Sequence, residues 1–176
     1  MLESWQLKQR QSLPLSIKIA LSNIRIRRFY NYFDGEVTVC FSGGKKSIVL
    51  LDLVRNIFPD VEAIFIDTKS EIKEHVMKCS NLTIINSNDK KNEFNINNHD
   101  TINKYLEKFM VTSNKKLILG NIAWKNKKIE QAYLNLTCNS YNKGISQPIG
   151  FWKDEDILNY LNKYNLNFCF QKKKII

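Results

Sequence analysis

The segment Ser42-Gly43-Gly44-Lys45-Lys46-Ser47 gathers two hydroxyls, two glycines and two ammonium groups into consecutive residues. Glycines let the backbone adopt positive φ and come close to a ligand. If a helix starts at this point, its first N–H groups lack intrahelical partners, and together with the helix dipole they form a site for an anion. Lys45 and Lys46 add charge, while the hydroxyls of Ser42 and Ser47 add hydrogen-bond donors. The chemistry this predicts is phosphate binding. A Walker-type reading of Gly44-Lys45 fails twice: Lys46 stands where Ser or Thr must follow the lysine, and Val39 stands where the first glycine belongs. No metal is predicted, because Cys40, Cys79, Cys138 and Cys169 form no Cys-x-x-Cys pair and His75 and His99 stand apart from them.

The elements flanking the loop decide whether it can act. Val37 to Phe41 is a short β-rich apolar run, the mark of a strand buried on both faces of a parallel sheet. Ser47 to Ile57 carries Ile48, Val49, Leu50, Leu51, Leu53, Val54 and Ile57, which suits a buried helix. Phe58-Pro59-Asp60 breaks it, and Val61 to Ile66 follows as a second buried strand ending in Asp67-Thr68. The result is one βαβ unit with a right-handed crossover. Ahead of it, Ile17, Ala20, Leu21 and Ile24 at helical spacing predict an amphipathic helix entered at Pro14 and ended by Gly35.

After it, the sequence predicts a short helix over Glu71 to Cys79, a third strand over Leu82 to Ile85 and a flexible loop over 86–98. A helix over Thr101 to Met110 and a fourth strand over Lys116 to Gly120 come next. The last helix, Ile157 to Tyr164, is opened by Asp154-Glu155-Asp156, acids that the positive end of a helix dipole favours. A basic tail over 165–176 closes the chain. This alternation predicts a single α/β domain with a mostly parallel sheet, residues 1–34 forming a helical lead-in. In such sheets ligands collect outside the carboxyl ends of the strands. Three such ends, Ser42-Gly43-Gly44, Asp67-Thr68 and Gly120, therefore converge on one rim.

With 176 residues, 43% of them hydrophobic, the chain can bury one core, which excludes disorder throughout. No apolar run is long enough for a membrane helix, and the stretch MLESWQLKQRQ has no apolar export signal, so a cytoplasmic protein without a membrane partner is predicted. A net charge of +10 favours polyanions such as nucleotides or nucleic acid. Lysine and asparagine abound everywhere, however, and AT-rich codon usage accounts for that equally well.

Trp5 to Asp67 resembles the phosphoadenosine phosphosulfate (PAPS) reductase family as found in phages and mobile elements. That family belongs to the adenine nucleotide α-hydrolase superfamily, whose PP-loop Ser-Gly-Gly-Lys-Asp-Ser follows the first strand. Gly120 to Asn126 lies where the family has a Gly-x-Arg-x-x-Glu-Ser-like segment. Gln147-Pro148-Ile149-Gly150-Phe151-Trp152, leading into Asp156-Ile157-Leu158, looks like its proline-tryptophan lead into a late helix. The resemblance implies a Rossmann-like, HUP-type three-layer sandwich that takes an adenine nucleotide, ATP or PAPS. Ser42, Gly43, Gly44, Lys45, Lys46 and Ser47 would hold its phosphates, with Asp67, Thr68 and Gly120 completing the nucleotide site.

This sequence departs from the family at several points. Lys46 replaces the loop aspartate, Thr68-Lys69-Ser70-Glu71 lacks the glycine of Thr-Gly-x-Glu, and Ile122 and Lys125 take the places of an arginine and a glutamate. The family's reductase chemistry uses a cysteine in the tail, whereas here only Cys169 stands near, between Phe168 and Phe170, which reads as a packed aromatic end. The expectation is a shortened, degenerate domain that binds a nucleotide and has no assigned catalytic residue. Two alternatives stand beside it. One is a regulator that binds a host protein or nucleic acid through Arg25, Arg27, Arg28, Lys125, Lys127, Lys128 and Lys172 to Lys174; the other is an enzyme completed by a partner subunit.

Overall fold

The computed structural model describes residues 3–67, 79–86, 99–123, 130–131, 133–134 and 138–166. Thr68, the helix predicted from Glu71, the loop after Asn86 and the tail from residue 167 lie outside these. The elements are α1 (Ser4–Gln11), α2 (Leu15–Tyr32), β1 (Val37–Cys40), α3 (Lys45–Arg55), β2 (Ala63–Asp67) and β3 (Leu82–Asn86). They continue with α4 (His99–Ser113), β4 (Lys116–Ile118), β5 (Asn139–Ser140), β6 (Ile145–Ser146) and α5 (Asp154–Lys163).

Six strands form one sheet in the order β3-β2-β1-β4-β6-β5. Every pairing is parallel except β5 with β6. β1 sits between β2 and β4, with Val39 opposite Ala63 on one side and Ile118 on the other. Val37, Thr38 and Val39 are all buried, as the unbroken β-branched run requires. The Thr38 hydroxyl is satisfied by donating to the Glu62 carbonyl at 3.1 Å. The mostly parallel α/β sheet follows the alternation read from the sequence. The β5–β6 hairpin does not: its strands are two residues each and largely polar, too short for any periodicity to show.

The helix before β1 forms where its spacing predicts, starting after Pro14, but a different stripe faces inward. Ile17 and Ile24 are 47% and 46% exposed, whereas Lys18, Ser22, Ile26 and Phe29 are buried. The cause is tertiary. Lys18, only 2% exposed, donates from Nζ to Asp156 Oδ2 at 2.6 Å and to the Gln11 carbonyl at 2.8 Å. Ser22 Oγ donates to the Pro148 carbonyl at 3.0 Å and accepts from Trp152 Nε1 at 3.0 Å. Polar side chains are tolerated inside when fully paired in this way. These contacts clamp the segment before α5 and the helix itself against α2.

Candidate functional site

At the carboxyl end of β1 the buried Phe41 donates its N–H to the Ile64 carbonyl at 2.8 Å, the last tie to β2 before the chain turns away. Gly43 then takes φ 67°, a left-handed conformation costly for any residue with a Cβ. Gly44 is extended at φ −87° and ψ 163° and serves as the N-cap of α3. Having no side chain, it leaves the helix without a side-chain cap.

Ser47 is buried at 4% exposure, and its Oγ donates back to the Gly44 carbonyl at 2.9 Å. Ser42 Oγ donates to Ser47 Oγ at 3.2 Å. These bonds brace the turn. Gly120 lies behind the loop, where a Cβ would sit 3.5 Å from the Lys46 carbonyl oxygen and 3.6 Å from the Ser47 nitrogen. Its backbone thus backs the first turn of α3.

A cleft of about 400 Å³ opens over this turn, lined by Ser42, Gly44, Lys45 and Lys46 on one wall and by Asp154, Ile157 and Leu158 of α5 on the other. Asp67 ends β2, beside β1. The α5 wall went unread in the sequence, although its acidic first turn was visible: Asp154 was accounted for by the dipole alone.

That wall is held from behind. Asp156 Oδ2 accepts the Lys153 N–H at 2.7 Å as well as the Lys18 ammonium, and Tyr160 donates its hydroxyl to Asp52 Oδ2 on α3 at 2.7 Å. Burial and that bond to a carboxylate both push the Tyr160 phenol well above its usual range. Two of the described thiols are quiet. Burial pushes Cys40 up to about 12 and Cys138 up to about 11, so both stay protonated near neutrality and are poor nucleophiles. Among the described residues no group of three or more His, Cys, Asp or Glu comes together as a metal site, and no helix is long and apolar enough to cross a membrane.

A glycine turn at the end of the first strand of a mostly parallel sheet, opening onto a helix N-terminus, defines a Rossmann-like α/β domain of the HUP type. Within that class the chain belongs to the phosphoadenosine phosphosulfate reductase domain family, whose signature matches residues 36–131, more than half of it. It is similar to an adenosine 5'-phosphosulfate reductase of Staphylococcus haemolyticus, at 26% identity over 163 residues and 80% of this chain. It spans 66% of that relative, just under two thirds of its length.

Among solved structures, an NH3-dependent NAD synthetase of Campylobacter jejuni, in complex with nitrate, superposes with a TM-score of 0.63. The identity is 16%, covering 94% of this chain and 80% of the other. A tRNA thiolase of Methanococcus maripaludis with a 4Fe–4S cluster gives a TM-score of 0.58 at 15% identity, covering 86% of this chain and 66% of that one. At these identities the likeness is one of fold.

Proposed function

We propose that this domain binds an adenine nucleotide, with a phosphate seated on the N-terminal end of α3. The observation that carries the reading is the turn itself. Gly43 holds a left-handed φ, the glycine N-cap leaves α3 without a side-chain cap, and Lys45 and Lys46 line the cleft directly above. A helix end of this kind attracts phosphate through its amides and dipole, with the lysines adding charge. The backbone of Ile66 and Asp67, at the end of the neighbouring strand, would meet ribose or adenine, and Gly120 keeps the back of the loop close-packed. Membership of the PAPS reductase domain family and likeness to a 5'-phosphosulfate reductase support an adenylate as the ligand.

The reading assigns binding and no thiol chemistry to the described cysteines. Cys40 and Cys138 are held as neutral thiols, and neither lines the cleft. Lys46, standing where the family carries an aspartate, brings positive charge to the phosphate and supplies part of the neutralisation that a divalent cation gives elsewhere. The test is titration calorimetry with ATP and with PAPS, on the wild type and on Lys45→Ala. Binding by the wild type that weakens at least tenfold in the variant is expected. No heat from either nucleotide at millimolar concentration would remove the reading.

A further inference from the structure

The two faces of α2 differ in make. The inward one is the buried stripe Lys18, Ser22, Ile26 and Phe29. Opposite it, Ile17, Ala20, Ile24, Arg27, Arg28 and Tyr32 are all exposed, and steps of three or four residues lay them along one ridge. At a rise of about 1.5 Å per residue, Ile17 to Tyr32 covers about 22 Å. Ile17, Ile24 and Tyr32 are three of the seven large apolar side chains left at the surface among the described residues. Scattered singly such residues need no explanation, but a line of them on one helix marks a contact surface.

The charge on this ridge has one sign. From Ser4 to Phe33 the chain contains no aspartate or glutamate. The ridge's cations are both arginines, in a chain of five arginines and 22 lysines. Codon usage that fills a surface with lysine does not account for that choice. Arg25 and Arg55 are engaged within the fold, Arg25 over the Phe151 ring at 4.3 Å and Arg55 on the carbonyls of Val61, Ser80 and Asn81. Arg27 and Arg28 are exposed and form no ion pair among the described residues. A guanidinium is a planar fork of donors that fits a carboxylate with two parallel bonds.

We propose that the outward ridge of α2 docks an acidic amphipathic helix of another protein, whose apolar stripe lies on Ile17, Ala20 and Ile24 and whose carboxylates meet Arg27 and Arg28. The small Ala20 between the isoleucines leaves a notch for a ridge of the incoming helix. A second copy of this chain does not fit. It would bring the same arginines and no carboxylate on this face, at +10 against +10, and one helix face falls short of the roughly 800 Å² per partner of a stable interface. A nucleic acid strand would leave the isoleucines without a partner, since bases stack on aromatic rings, and Tyr32 already packs edge-on against Phe33 and tilted on Tyr141. A bilayer needs a broad apolar face, which the two arginines interrupt. Docking on α2 is independent of what the cleft binds.

The probe is a three-heptad peptide with leucine at the two seam positions and glutamate on its flanks, beside a twin with lysine for every glutamate. NMR titration of the full chain with each peptide gives affinity and location together. The glutamate peptide is expected to bind and to move the amides of Ile17 to Tyr32 most, with the lysine twin weaker by about tenfold or more. Arg27→Glu with Arg28→Glu should reverse that preference. Ile17→Ser with Ile24→Ser should weaken both peptides, and circular dichroism should show every variant folded, since all four positions are exposed. A glutamate peptide that does not bind, movement confined to residues off α2, or a preference that survives the charge reversal overturns the proposal. Tighter binding of an oligo-dT strand or of phosphatidylserine vesicles on the same amides overturns it as well, and assigns the ridge to that partner instead.

Discussion

The two walls of the cleft are built by different means. The loop wall is main chain: a left-handed glycine, a glycine N-cap and hydroxyls that bond within the same six residues. The α5 wall is held by side chains far away in sequence, with Asp156 on Lys18, Trp152 on Ser22 and Tyr160 on Asp52. The first can exchange its charged side chains and keep its shape, because shape there comes from φ and ψ. The second loses its footing when one buried partner disappears, because each polar group was desolvated in expectation of the other. Binding and stability should therefore separate between the walls.

The largest effect should come from Lys18→Ala, which strands the Asp156 carboxylate in the interior. Urea unfolding should show a loss of about 3–5 kcal/mol, with Asp156→Ala in the same background costing much less than it does alone. Next, Gly43→Val forces a β-branched residue into the left-handed region, at a cost of order 1–3 kcal/mol, and nucleotide affinity should fall with it. Trp152→Phe removes one buried donor to Ser22 and should cost about 1–2 kcal/mol in the same unfolding assay. Smallest for stability is Lys45→Ala, expected within about 0.5 kcal/mol of wild type while its affinity for nucleotide drops. A Lys45→Ala protein that melts early, or a Lys18→Ala protein as stable as wild type, would erase the contrast between the walls.

The raised thiols add a pH dependence of known sign. Cys40 and Cys138 lie at about 12 and about 11 in the folded protein, against a reference of 9.0. Between those values the unfolded chain releases protons that the folded one retains, so stability falls as pH rises. Unfolding free energy should be insensitive to these groups below about pH 9 and should decline from there upward. Alkylation by iodoacetamide at neutral pH should leave the buried Cys138 unmodified until the protein unfolds.

The same division explains what the sequence alone reveals. β1, the glycine turn and α3 were legible because each is dictated locally: a β-branched run, two glycines, then an apolar helix. Their order places the loop on the rim without knowledge of distant contacts. The inward face of α2 was not legible, since a lysine and a serine occupy it and only Asp156, Pro148 and Trp152 make that burial tolerable. Asp154 escaped for a related reason. An acid at a helix start already has a sufficient local explanation, and only the packing of α5 beside α3 brings it to the cleft. The hydroxyls of Ser42 and Ser47 carried a plausible ligand role in the sequence, yet their mutual bond is a property of the folded turn.

The central claim is that phosphate sits on the amide end of α3. Amide chemical shifts followed by NMR during titration with ATP test it most directly, residue by residue. The account predicts the largest movements at the N–H groups of Gly43 to Ser47, with smaller ones at Gly120 and the first turn of α5. Saturating nucleotide that leaves Gly43 to Ser47 unmoved, while shifting residues elsewhere or none at all, would contradict it.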